Sequence, residues 1–171
     1  MTGRFPRLAA TFVLGSITLA GCSSDDTSPV EVTTVRLAVI PGSEHGGLPF
    51  ATDLTQEVFH HPTMTWTGDP DGTGTALITI NLGQGELCWD VTVSGIGPLP
   101  ASASHIHKQV VDWQGPIYIG LPVPDASGKV SGCMSEDRAK LKRIVQFPDS
   151  FYVNVHTAEF PTGAVRGQLG R

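Results

Sequence analysis

The sequence predicts an all-β domain, an immunoglobulin-like or Greek-key β-sandwich or barrel with one short helix. Runs of alternating apolar residues point to half-buried strands, and Gly and Pro clusters punctuate those runs at short intervals. Many short strands at such spacing suit a sandwich or a barrel. The chain has 171 residues, of which 20 are Gly and 13 are Pro.

Taken in order, Val32 to Ile40 is rich in β-branched residues and predicts a strand. The segment from Pro41 to Thr75 is the least regular and reads as a long loop or an edge strand. It holds His45, His60 and His61, to which no role is assigned. Ala76, Ile78, Ile80 and Leu82 alternate, as do Leu87, Trp89, Val91 and Val93, with Gly83-Gln84-Gly85 between them as a three-residue hairpin loop. Further short strands are expected at Ala103–His107, Pro116–Leu121, Lys129–Met134, Phe151–His156 and Ala164–Leu169. One segment is helical in pattern. Ser135 is expected to cap it, Glu136 and Asp137 suit its first turn, and Lys140, Lys142 and Arg143 suit its last.

The N-terminal residues read as an address. Arg4 and Arg7 form a basic region ahead of an apolar run from Leu8 to Ala20, at about 13 residues too short to span a bilayer. The run ends in Leu19-Ala20-Gly21-Cys22, which resembles the lipobox of bacterial lipoproteins, where the Cys thiol accepts a diacylglyceryl group. The expected organisation is therefore a lipoprotein signal peptide over 1–21, a flexible polar tether over 22–34 and a β domain over 35–171. In that reading the protein is extracytoplasmic and lipid-anchored to the cell membrane or outer membrane through Cys22, with the lipid bilayer as a partner.

Charge and cysteines narrow the reading further. The formal net charge is −5, and loss of residues 1–21 removes two Arg and no acid, deepening it. An acidic surface without a basic run argues against nucleic acid as a partner. Of three cysteines, Cys22 is assigned to lipid, so Cys88 and Cys133 are expected to form one disulfide in an oxidising compartment. It would close a loop of about 45 residues, for a stabilisation of roughly 3–4 kcal/mol.

One pattern can carry chemistry. His105 and His107 stand at i and i+2, so in a strand both point to one face, ~7 Å apart. In the run from Phe151 to His156, the apolar Phe151, Val153 and Val155 alternate with Tyr152, Asn154 and His156, so His156 faces away from the apolar row. If the two strands are neighbours, His105, His107 and His156 converge as a metal-binding set suited to copper or zinc. The same imidazoles can instead hydrogen-bond across strands and stabilise the sheet, which spacing alone favours. Asn154 or a backbone carbonyl is expected to fix their tautomers. Arg166 is either an anion or ligand contact or the partner of an acid such as Glu159. Asp69 and Asp71 lie in Gly-Asp-Pro-Asp-Gly, where turn chemistry explains them more simply than calcium does. No Gly-x-Ser-x-Gly, phosphate-cradling loop or His-Glu-x-x-His is present, so the reading leans away from an enzyme.

These motifs carry a resemblance. Gly72 to the C-terminus resembles the CHRD domain of chordin and of bacterial secreted proteins. The match rests on His105-Ile106-His107, Gly115-Pro116, Tyr152-Val153-Asn154-Val155-His156-Thr157, and Pro161-Thr162-Gly163 running into Arg166-Gly167-Gln168-Leu169. Leu54 with Glu57 matches the family's opening segment, whereas Ala164 stands where the family has an acid. The resemblance implies a fold similar to copper–zinc superoxide dismutase, in which His105, His107 and His156 fall at copper-ligand positions and Arg166 near a superoxide-attracting arginine. There is no metal-bridging His between Lys108 and Leu121 and no zinc loop, which counts against an efficient dismutase. The leading expectation is a membrane-anchored binding or structural module of the cell envelope, with an envelope or extracellular protein as ligand. The alternative is a mononuclear copper or zinc protein with redox activity.

Overall fold

The computed structural model describes residues 46–61 and 64–170, without the side chains of 59–64. The expected signal peptide, Cys22, the tether, the strand at Val32 to Ile40, His45 and the side chains of His60 and His61 lie outside the described residues. Within them run ten strands: β1 (Leu48–Gln56), β2 (Val58–His61), β3 (Met64–Thr67), β4 (Thr73–Asn81), β5 (Glu86–Ser94), β6 (Ala103–Lys108), β7 (Ile117–Leu121), β8 (Lys129–Ser135), β9 (Phe151–His156) and β10 (Val165–Gln168). One helix, α1 (Arg138–Gln146), and a 3-10 turn at Pro148–Ser150 separate β8 from β9. No helix among the described residues is long and apolar enough to cross a membrane.

Eight strands form one antiparallel sheet in the order β7-β6-β9-β10-β1-β4-β5-β8, and β2 pairs with β3 alone. The alternating rows predict how this sheet is covered. Ile78 and Ile80 of β4, Leu87, Trp89 and Val91 of β5, Ile106 of β6 and Val153 and Val155 of β9 belong to one apolar cluster. Strands from both ends of the order share that cluster, so the sheet curls over itself into a half-barrel. Each large apolar side chain so buried contributes about 1.5–3 kcal/mol. Helix α1 adds Leu141 and Ile144, both fully buried. It also spans the two halves: Tyr118 Oη of β7 donates to Lys140 O at 3.4 Å, and Arg138 Nη2 donates to Gly83 O of the β4–β5 hairpin at 3.1 Å.

The all-β fold agrees with the sequence expectation, and so does the disulfide. Cys88 and Cys133 are directly opposed on β5 and β8, with Cα atoms 4.0 Å apart and the sulfurs bonded. The bridge ties edge strand β8 to the sheet interior.

Three expectations are corrected. The described part of the segment from Pro41 to Thr75 is not one loop or edge strand: β1 lies inside the sheet between β4 and β10, while β2 and β3 pair only with each other. Its register runs from Leu48↔Ile80 to Thr55↔Thr73 on one side and through Thr55↔Arg166 on the other. Only Phe50 and Leu54 of this strand are well buried, four residues apart with Thr52 between them, so no period-2 apolar signal marks it. The helix begins later than Ser135, which still pairs with Glu86 as the last residue of β8. Asp137 is the N-cap, its carboxylate accepting from the backbone N–H groups of Ala139 and Lys140. Glu136 precedes the helix and pairs with Lys140 Nζ at 3.4 Å, and Arg143 is the one basic residue in the last turn. The β4–β5 loop is four residues long, since Asn81 pairs with Glu86. Gly85 closes it at a φ of 69° that side-chain-bearing residues avoid, its N–H donating to Asn81 O.

Candidate functional site

Pairing of β9 with β6 on one side and β10 on the other builds a polar row on one face of the sheet. The registers are Ala103↔His156, His105↔Asn154 and His107↔Tyr152 toward β6, and Arg166↔Asn154 and Gln168↔Tyr152 toward β10. Alternation then puts His105, His107, Tyr152, Asn154, His156 and Arg166 on the same face. Every residue of β9 is buried, so this face is covered as well. Its cover is the segment 109–116 and the turn 157–164, which supply backbone partners to the polar row. Strand β7 bulges by one residue beside the site, between Ile106↔Ile119 and His107↔Ile117, a common device next to functional groups.

The three imidazoles converge. His105 Nδ1 lies 3.3 Å from His156 Nε2, and one nitrogen from each of the three rings can be chosen so that all lie within 4.8 Å of one another. Backbone carbonyls fix two tautomers. His107 Nδ1 donates to Gly115 O at 2.9 Å and His156 Nδ1 donates to Pro161 O at 3.0 Å, so both Nε2 atoms carry bare lone pairs. His156 Nε2 accepts from His105 Nδ1. His107 Nε2 is buried and has no hydrogen-bond partner. Burial holds all three rings toward the neutral form: it lowers the pKa values of His105 and His107, and that of His156 to about 4. Neutral imidazole is the ligating species.

This donor set fits a cation of the copper or zinc type. Nitrogens about 2.0–2.1 Å from a common centre stand about 3.4 Å apart. His105 Nδ1 and His156 Nε2, 3.3 Å apart, have that spacing once the His105 proton moves to Nε2 or leaves, and wider pairs within 4.8 Å close by up to about 1.4 Å. The carbonyls behind His107 and His156 do what outer partners of ligating histidines do, orienting each ring and settling its tautomer. Asn154 has a different partner from the one expected. Its Nδ2 donates to Glu57 Oε2, and it touches no imidazole through a hydrogen bond.

Arg166 is buried, at 7% exposure, and its hydrogen-bond partners are carbonyl and amide oxygens, not acids. Nη1 donates to Trp113 O at 2.8 Å, and Nη2 donates to Val110 O at 2.9 Å and to Gln168 Oε1 at 3.0 Å. Its guanidinium lies 3.4 Å from the centre of the Tyr152 ring, which His107 stacks at 4.9 Å from the β6 side. Gly115 N–H donates to Tyr152 Oη, and Gln168 Nε2 donates to Gln109 O. Together these side chains hold the backbone of 109–115 while Val110, Val111 and Trp113 remain 47%, 61% and 49% exposed.

Sequence reasoning did not single out Glu57 as part of this face. Its carboxyl is 1% exposed, bonded to Asn154, and drawn electrostatically toward Arg166. Desolvation outweighs both and raises its pKa to about 7. Its one signal in the sequence is its pairing with Leu54 in the segment that resembles the family's opening, and it stands just past the end of β1. Gly163 makes room for it: with φ at 139°, a Cβ there would overlap Glu57 Oε2.

Curled antiparallel sheet, histidine cluster and clamped loop define a small all-β domain with a polar, buried face. The family model for the CHRD domain matches residues 50–169. The chain belongs to the CHRD-domain family. The match begins at residue 50 in β1 and takes in Leu54 and Glu57, as the sequence resemblance implied. No curated protein and no solved structure matches the chain.

Proposed function

We propose that this CHRD domain binds one transition-metal ion, copper or zinc, through His105, His107 and His156. The observation that carries the proposal is His107 Nε2, a buried lone pair with no partner, in a cluster whose three rings each bring a nitrogen within 4.8 Å of the others. A buried unpaired acceptor costs about 1–3 kcal/mol, a cost that a bound cation removes. Metal titration of untagged protein tests this. One equivalent of Cu²⁺ or Zn²⁺ binds, and His156→Ala abolishes binding while circular dichroism stays native. Retention of the metal by that variant overturns the proposal.

The exposed Val110, Val111 and Trp113 favour a second role, as an envelope module that docks an extracellular protein. A photo-crosslinker at Trp113 that captures nothing in intact cells rejects it. The anchor in this reading is lipid on Cys22, supported by Leu19-Ala20-Gly21-Cys22. Cys22→Ser then releases the protein from the membrane fraction or leaves it unprocessed. An unlipidated wild-type protein found in the medium defeats it.

A further inference from the structure

We infer that the metal centre takes its fourth ligand from solution, and that this ligand is a short-chain organic carboxylate. The inference rests on the metal reading above and extends it to the ligand class. Three imidazoles are neutral donors, so a divalent ion held by them keeps its full charge. The cluster opens on a cavity of about 460 Å³, at the small end of small-molecule sites. Among the described residues lining it there is no carboxylate, no thiolate and no further imidazole, and its remaining polar side chains are Ser102 and Gln114. Arg166, which lies over the Tyr152 ring that His107 also stacks, adds positive potential at His107, offset in part by Glu57 and Asp112. Glu57 is turned to Asn154 and is not part of the cavity wall. A partly buried divalent cation held by three neutral ligands, with no anionic side chain in the wall, draws an anion, because attraction strengthens as water is excluded.

The wall also indicates what the anion carries. Ala103, Pro116, Ile117 and Pro161 present apolar surface to the cavity, and Ile117 is 58% exposed. An aliphatic chain of a few carbons, anchored by its carboxylate at the open coordination position, covers that surface. Hydroxide or chloride satisfies the charge and leaves the apolar wall wet.

The test uses the full-length protein loaded with Co²⁺, whose visible absorption reports its ligands, titrated in turn with acetate, butyrate and chloride. Expected are a spectral change on adding carboxylate and tighter binding of butyrate than acetate. Two added methylenes at up to about fourfold each give a preference of about tenfold. Ile117→Ser should bring the butyrate-to-acetate ratio down toward one. Failure of Co²⁺ to bind at all overturns the metal reading itself. Stoichiometric Co²⁺ whose spectrum ignores both carboxylates leaves the metal reading standing and overturns the carboxylate ligand. Equal affinity for acetate and butyrate, or a ratio unmoved by Ile117→Ser, overturns the apolar seat.

Discussion

Replacing Glu57 by Gln should make the domain more stable in alkali and leave it little changed in weak acid. The wild-type carboxyl titrates near 4.5 when unfolded and at about 7 when folded. Between those values the folded protein holds a proton that the unfolded chain has released. Stability therefore falls as pH rises through this window, complete below about 4.5 and lost once the folded carboxyl ionises. A difference of about 2.5 pK units corresponds to about 3 kcal/mol, and at 1% exposure the group has little solvent to screen it. The structure gives the mechanism. Glu57 Oε1 and Asn154 Oδ1 are both buried without a partner, two acceptors for which a proton, or the Gln amide, can serve as donor. Urea denaturation of both proteins at pH 5, 6, 7 and 8 provides the assay. The histidine cluster, whose lowered pKa values remove stability on the acid side, is common to both and cancels in the difference. The variant's advantage should grow by about 2.5 kcal/mol between pH 5 and pH 8, the rest of the effect falling below pH 5. A difference that stays flat with pH refutes the reasoning, because it means that Glu57 ionises normally inside the fold.

Cys133→Ala, which opens a covalent loop of 45 residues, should lower stability by roughly 3–4 kcal/mol, with wild type falling to the same level under reductant in urea melts. Gly163→Ala must place a Cβ on the Glu57 carboxylate, and a loss of at least about 2 kcal/mol is expected; a wild-type melting temperature would contradict the packing described. Arg166→Met keeps much of the bulk but removes the donors to Val110 and Trp113, so amide exchange of 109–115 should accelerate well before that of β9. Copper affinity should hold from neutral pH into mild acid, because the ligating rings titrate below the usual histidine value. It should then fall as pH approaches 4, where His156 gains its proton; a fall centred at 6.5 would show ordinary, exposed histidines.

Strands were legible wherever one face is apolar and the other polar. β4, β5 and β9 carry that alternation in their own residues, and β9 was read to its bounds. β1 was not, because its two buried residues lie four apart and its place is fixed by partners on both edges. The helix start slipped for a related reason: Ser135 is a sound cap by residue type, but the ladder to β5 holds it as strand. In the site, His105 and His107 share a face by strand geometry alone. Whether His156 reaches them depends on β6 and β9 being neighbours, which no local pattern states. Glu57 stayed hidden because a carboxylate is ordinarily a surface residue. Its burial arises only when the topology brings in Asn154, 97 residues away in sequence.

The grip of Arg166 on the loop between β6 and β7 separates the loop's shape from its side chains. The guanidinium reads the carbonyl oxygens of Val110 and Trp113, atoms that every residue type possesses. Replacing the side chains at 110, 111 and 113 leaves both acceptors of the clamp in place, so the loop's shape is set separately from its chemistry. A library randomised at those three positions in this scaffold should therefore yield folded members in high proportion, each displaying a different surface on the same rigid backbone beside the histidines.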